Sequence, residues 1–345
     1  MKSKFKITIA LLVLSTLLVS AAGADYTKQY KKSWTKSSVS SLKITNKFGE
    51  VKINDTGGDS VSIKVLITID NQSSSKAKEL MDKIHIDFQK SGNLVIAETT
   101  IEDKFNSNGS FSIDYLVNIP KDRDLDITNR YGNVVLNDLD AKGTFNVSYG
   151  SMSAGNLKSP AGNPIAIVIN YGKADLESVN DAKMEFKYSK LFVGEIDKLI
   201  MDSKYCTVNI DEISAITLTS KYDAVNIDNL GKLKSESRYT NYKIGNLSGS
   251  LDLNTGYGSV QINQVESQFE KIAITNSYGG INIGMNGLNY KLIADCDYCD
   301  VKYPTERYKG NKIKESHRFS LDGQVGHGGG TVSITSRYGG VKLTE

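Results

Sequence analysis

At 345 residues, with 42 Lys and Arg against 39 Asp and Glu for a net charge of +3, the chain lacks the basic excess of a nucleic-acid-binding protein. Three cysteines permit at most one disulfide, and no apolar run reaches the roughly 20 residues that a membrane-spanning helix needs.

Residues 1–24 carry Lys2, Lys4 and Lys6, an apolar run from Ile7 to Val19, then Ala22-Gly23-Ala24 before Asp25, which predicts a cleaved secretory signal. The signal holds three lysines and no acid, so the mature chain is expected to be formally neutral, 39 basic residues against 39 acidic. Residues 25–40, with Tyr26, Tyr30 and Trp34 among Lys and Ser, read as a leader strand or arm.

Leu42-Lys-Ile44-Thr-Asn46-Lys-Phe48-Gly49-Glu-Val51-Lys-Ile53 completes segment 25–55 and introduces a repeat. The aromatic returns as Tyr131, Tyr149, Tyr171, Tyr188, Tyr205, Tyr222, Tyr239, Tyr257, Tyr278, Tyr298 and Tyr338. From Tyr188 to Tyr257 the spacings are 17, 17, 17 and 18 residues. Such a period marks a solenoid, whose units are too small to bury an apolar face alone and rely on their neighbours. Counting the aromatic as zero, positions −6, −4 and −2 alternate with polar residues as in a half-buried strand. Positions +3 and +5 are apolar again (Val208 and Ile210, Val225 and Ile227), and a third apolar position falls at +8 (Ile196, Ile213, Leu230). Each coil is therefore expected to hold two short strands and a corner.

Residues 56–125 break the period. Val61 to Ile69 alternate as one long strand, and Ala77, Leu80, Met81 and Ile84 follow at helical spacing behind Ser73 to Ser75. Ile84 to Ile96 reads as a hairpin and Phe111 to Pro120 as a strand. This stretch is expected to be an α+β elaboration that caps the first coil, because a bare stack end offers unpaired strand edges. Segment 126–303 is the regular solenoid, and 304–345 adds a polar insertion and a last unit. The fold class expected is thus all-β: a right-handed parallel β-solenoid (β-helix) of about a dozen rungs of 17–22 residues.

The aromatic at a corner suits tyrosine, which can stack on the rungs above and below while its hydroxyl meets water. The structural ladder is expected to be Tyr188, Tyr205, Tyr222, Tyr239 and Tyr257 with the inward column Ser203, Ser220 and Ser237, whose hydroxyls would bond along the stack or to the turn. The residue after the aromatic is Gly in six tyrosine units and Ser, Cys, Asp or Thr in others, so the corner wants a small side chain without demanding a left-handed glycine there.

Three groups of residues bear on chemistry. Lys187, Lys204, Lys221 and Arg238 occupy the outward −1 column, about 4.8 Å apart, and form the candidate site for an anionic polymer such as an acidic polysaccharide. The alternative is a solvated face neutralised by Glu185, Asp202 and Glu236. The run Asp295-Cys296-Asp297-Tyr298-Cys299-Asp300 lacks a third or fourth ligand at metal-site spacing, and its cysteines are expected to be mostly free unless the chain turns sharply between them. His327-Gly328-Gly329-Gly330 has no partnering Gly-x-Ser-x-Gly and reads as a flexible turn. No cofactor and no catalytic constellation is expected.

The segment SIDYLVNIPKDRDLDITNRYGNVVL at 112–136, with the opening SLKITNKFGEVKI and the closing GGGTVSITSRYGGVKL, resembles the "putative adhesin" family of exported bacterial β-strand-repeat proteins of unknown function. The resemblance implies a parallel β-solenoid at the cell envelope, periplasmic or on the surface, with no catalytic residues to carry over. The expected function is a non-enzymatic structural or adhesin-like role with an envelope or extracellular partner. Alternatives are a polysaccharide-active β-helix enzyme and an envelope-stress signalling component.

Overall fold

The computed structural model describes residues 17–19, 25–70, 73–103, 105–107 and 109–345. The signal expected at 1–24 lies outside the described residues, apart from Leu17–Val19. Among the described residues the chain is all-β apart from one α-helix and a short 3-10 turn, and it divides into two units, Met1–Asn137 and Asp138–Glu345. Among the described residues no helix is long and apolar enough to cross a membrane.

In the first unit, Ser60–Asp70 pairs antiparallel with Asp25–Thr35 on one side and with Phe111–Ile119 on the other. Its alternation places Val61, Ile63, Val65, Ile67 and Ile69 fully inside. The helix Ser74–Asp82 starts at Ser73, whose hydroxyl accepts from the Lys76 N–H, and buries Ala77, Leu80 and Met81. Ile84–Ser91 and Leu94–Ile101 form a hairpin. The elaboration does more than lie over the first repeat: Leu94–Ile101 pairs parallel with Ser41–Lys47, and Phe111–Ile119 with Val51–Asp55. On the other side of that repeat come Asp124–Arg130 and Val134–Leu136, also parallel. Phe48 and Tyr131 stack across this pairing, 5.0 Å between centroids.

The second unit is a parallel stack. Lys173–Lys187, Lys190–Lys204, Thr207–Lys221, Ala224–Arg238 and Asn241–Gly256 pair successively in register, so that Ser203 faces Ser220, Ser220 faces Ser237, and Ser237 faces Thr255. Parallel pairing in register turns each repeat position into a column. The inward columns, among them Leu191, Val208 and Val225, are sealed from solvent, and Ile196, Ile213 and Leu230 fill the third corner. One rung exchanges volume between two positions. Tyr242 stands where its neighbours have valine, Ser235 stands opposite where they have leucine, and the two hydroxyls bond at 2.8 Å.

The end of the unit departs from sequence order. Gly330–Arg337 pairs parallel with Lys271–Ser277 on one side and with Tyr290–Asp297 on the other. Val341–Thr344 likewise lies between Ile281–Gly284 and Val301–Lys302. The last repeat of the sequence is thus intercalated between two earlier ones. The polar stretch 304–330 holds two strands: Arg318–Val325 runs antiparallel along Tyr290–Asp297, and Tyr308–Lys314 pairs antiparallel with it. An antiparallel pair closes a strand edge that would otherwise propagate the stack. Cys296 and Cys299, expected to be mostly free, are bridged. The sharp turn that permits it comes from Tyr298, whose φ is 55°.

Candidate functional site

That backbone geometry recurs at every corner. Phe48 and all eleven repeat tyrosines have φ between 52° and 63°, the left-handed region that costs a non-glycine residue roughly 1–2 kcal/mol. The small residue that follows is not left-handed in any rung; the strain sits on the aromatic itself. The following residue is small for another reason, close approach of backbone: a Cβ on Gly258 would come 1.8 Å from the Thr240 carbonyl oxygen, and one on Gly172 2.0 Å from that of Gly150.

Two contacts offset the strain. Tyrosines 149, 171, 188, 205, 222, 239, 257, 278, 338 and 298 stack in that order, neighbouring centroids 4.7–5.0 Å apart, and His317 stacks on Tyr298 at 4.7 Å. A stacked pair adds about 0.5–1.5 kcal/mol, and an interior ring has two neighbours. Inside the corners of Tyr222, Tyr278 and Tyr338 the −2 side chain reaches across to the +1 residue. Ser220 Oγ donates to Asp223 Oδ2 at 2.6 Å, and Ser336 Oγ to the Gly339 carbonyl at 2.6 Å. Glycine or asparagine would fit the backbone more easily, but neither builds the column.

The ladder decides what the corner can recognise. Each of these tyrosines is 40–52% exposed, but the ring faces are covered by neighbouring rings, which leaves edges and hydroxyls at the surface. An aromatic platform needs a free face, so an incoming sugar or base has none within the column.

Charge lies beside it. Lys187, Lys204, Lys221 and Arg238 face one another in register on four successive strands. Among the described residues none of the four makes an ion pair, so Glu185, Asp202 and Glu236 do not neutralise them at contact distance. Lys204 and Lys221 instead rest over their own tyrosines, Nζ 5.3 and 5.7 Å from the centroids. The column is interrupted at Gly256, whose missing side chain opens a groove of about 510 Å³ walled by Lys221, Glu236, Arg238, Asn254 and Tyr257.

Beneath the cations lies a buried polar cluster that the sequence reading did not isolate. Asp223, 4% exposed, accepts from Ser203 Oγ (2.7 Å), Ser220 Oγ (2.6 Å) and the N–H groups of Cys206 (2.6 Å) and Lys221 (3.2 Å). Ser220 and Thr240 hydroxyls also pair at 2.9 Å. Ser237 and Thr255 continue the inward column, and among the described residues their hydroxyl oxygens have no hydrogen-bond partner; the +1 residue after Tyr257 is Gly258, which offers no side chain to bond. A polar −2 residue coinciding with a polar +1 residue was the available signal. Burial pushes the Cys206 thiol up, and Cys206 Sγ donates to the Lys204 carbonyl. Among the described residues no group of three or more His, Cys, Asp or Glu is arranged to hold a metal.

Rungs paired in parallel, a corner aromatic in every repeat and an interior of aliphatic columns define a β-stack repeat protein. The chain belongs to the Toastrack DUF4097 family, whose model matches residues 39–344. Among solved structures it is similar to a "putative cell adhesion protein" from Clostridium sporogenes ATCC 15579 (10% identity, 92% of this chain and 99% of that one, TM-score 0.20). It is also similar to a "putative adhesin" from Parabacteroides merdae ATCC 43184 (13%, 73% and 95%, TM-score 0.30) and to another from Bacteroides fragilis NCTC 9343 (10%, 92% and 97%, TM-score 0.31). No curated protein matches the chain.

Proposed function

We propose that this protein is an exported, non-enzymatic scaffold of the cell envelope whose tyrosine-and-cation corner binds an acidic polymer, with acidic polysaccharide as the ligand class. The reading takes the coil as right-handed and the first 24 residues as a removed signal. The observation that carries it is the column Lys187, Lys204, Lys221 and Arg238: four cations in register on successive strands, none in an ion pair. Like charges about 4.8 Å apart repel one another within a Debye length. An anionic chain laid along the column relieves that repulsion, and phenol hydroxyls beside it supply hydrogen bonds. The groove at Gly256 accepts a branch or a ring, with Asn254 to bond it and Arg238 to fix a carboxylate.

The test is a panel of acidic and neutral glycans offered to the mature protein, following binding and release of reducing ends together. Expected are binding to acidic members that weakens as salt rises, loss of at least tenfold in affinity in Lys204→Glu/Lys221→Glu, and no turnover. Equal binding of neutral and acidic glycans, or binding indifferent to the charge reversal, overturns the assignment of the corner. Turnover that co-purifies with the protein overturns the non-enzymatic reading and favours the polysaccharide-active alternative.

A further inference from the structure

The brace across the tyrosine corner is a hydrogen bond at Tyr222, Tyr278 and Tyr338 and a covalent bond at Tyr298. The positions taken by Ser336 and Gly339, or by Ser220 and Asp223, are taken at the Tyr298 corner by Cys296 and Cys299. The bridge is not needed to set the backbone: Tyr338 on the adjoining rung and Tyr278 on the one beyond it hold φ of 56° and 57° without one, against 55° at Tyr298.

What the bridge has instead is asymmetric access. Cys296 is fully buried against the Gly339 carbonyl, whereas Cys299 is only half-buried. Cys299 also forms one wall of an open cavity of about 340 Å³ between the Tyr298 corner and the link joining Tyr308–Lys314 to Arg318–Val325. Lys314, His317 and Arg318 line that cavity together with Asp300 and Glu315. Lys314 engages Asp300 at 3.5 Å and Arg318 engages Asp295 at 2.6 Å, and the His317 imidazole, stacked on Tyr298, completes the wall. The strand beside it, Tyr308–Lys314, is exposed along nearly its whole length, so the outer wall has little packing to hold it closed. The spacing Cys-x-x-Cys, with one reachable sulfur and one shielded, is that of a dithiol–disulfide pair used in exchange.

We propose that Cys296–Cys299 is a thiol–disulfide exchange site, with Cys299 Sγ as the attacked sulfur and a dithiol as co-reactant. A thiolate of the dithiol enters the cavity and bonds to Cys299 Sγ. The Cys296–Cys299 bond breaks, and Cys296 leaves with the electron pair and takes up a proton. The second thiol of the co-reactant, deprotonated, then attacks its own sulfur in the mixed disulfide and releases Cys299, which is protonated in turn. Two electrons and two protons pass to the protein, and the co-reactant ends as a disulfide. Because every other repeat tyrosine holds the same left-handed φ without a bridge, the rung keeps its shape through the cycle.

The chain carries its own control in Cys206, a free thiol that is buried where Cys299 is only half-buried, although it too borders an open depression at the surface. The experiment treats the native protein with dithiothreitol, follows bridge opening by maleimide mass shift, and records the strand signal by circular dichroism in parallel. Cys296→Ser and Cys299→Ser are assayed beside it with an aromatic disulfide reagent. Expected are opening of the bridge with the strand signal unchanged, and reaction of Cys299 in C296S at least about tenfold faster than Cys206, or than Cys296 in C299S. Opening that only tracks loss of strand signal, or Cys299 reacting no faster than Cys206, overturns the proposal. The wild-type measurement decides even if a serine variant does not fold.

Discussion

Ser220 and Asp223 meet across the Tyr222 corner, the hydroxyl donating to the carboxylate at 2.6 Å, and Asp223 is buried with no basic side chain in contact. A carboxylate in that setting is held by hydrogen bonds alone, here two hydroxyls and two backbone N–H groups from two rungs. Asp223→Ala removes one acceptor and strands four donors, so the expected loss is about 3–5 kcal/mol. Asp223→Asn keeps the size but offers donors to donors, and is expected to lose about half as much. Denaturant unfolding of the two variants beside the wild type measures both.

The left-handed tyrosines invert an ordinary ranking. In a strand, glycine is normally worse than alanine because it has more freedom to lose. At Tyr222, φ 61°, alanine keeps the steric cost of the left-handed backbone and loses the ring, while glycine loses the ring and escapes that cost. Tyr222→Gly is therefore expected to be more stable than Tyr222→Ala by about 1 kcal/mol, both lying below the wild type. Thermal unfolding of the pair reads the difference, and alanine at or above glycine would show that the strain is relieved elsewhere.

The repeat spacing made the stack legible in the sequence: seventeen residues from Tyr205 to Tyr222 fix the register that places Ser203 on Ser220. Parity likewise placed Val208 and Ile210 inside and Lys204 outside. Which rung neighbours which was not legible at the end of the chain, because adjacency in a stack is set by pairing. Nothing in 331–343 says that it enters between 271–284 and 290–302. The left-handed dihedral at the aromatic was not legible either. The small residue after the aromatic marked the corner, and its size answers to the carbonyl of the adjoining rung. The Cys296–Cys299 bridge was not legible because it depends on the sharp turn at Tyr298, which the spacing of the cysteines does not show.

Two glycines two residues apart separate packing from exposure. A Cβ on Gly258 would sit 1.8 Å from the Thr240 carbonyl oxygen, with backbone on the other side unable to yield. Gly258→Ala is expected to cost several kcal/mol or to block folding of that rung. A Cβ on Gly256 meets nothing within 4 Å, so Gly256→Ala is expected to stay within about 0.5 kcal/mol of wild type. Gly256→Trp fills the groove from the same position. Unchanged stability with weakened binding of an acidic glycan would assign the groove to the ligand, and unchanged binding would confine recognition to the cation column.

Alkaline pH is expected to weaken both units through their buried phenols. Burial, the largest effect, pushes Tyr115, Tyr242 and Tyr290 above the ordinary phenol value of 10.0. Below that value the phenols are neutral in folded and unfolded chains alike and stability does not depend on them. Above it the unfolded chain loses these protons first, so the native state holds more protons and each further rise in pH lowers stability. Thermal unfolding should be flat in this respect up to about pH 9 and fall steadily beyond pH 10. Tyr115→Phe is less stable at pH 8 because Thr99 loses the phenol it bonds at 2.8 Å, yet its decline above pH 10 should be shallower than that of the wild type. Parallel declines in the two proteins would mean that Tyr115 contributes nothing to the alkaline transition.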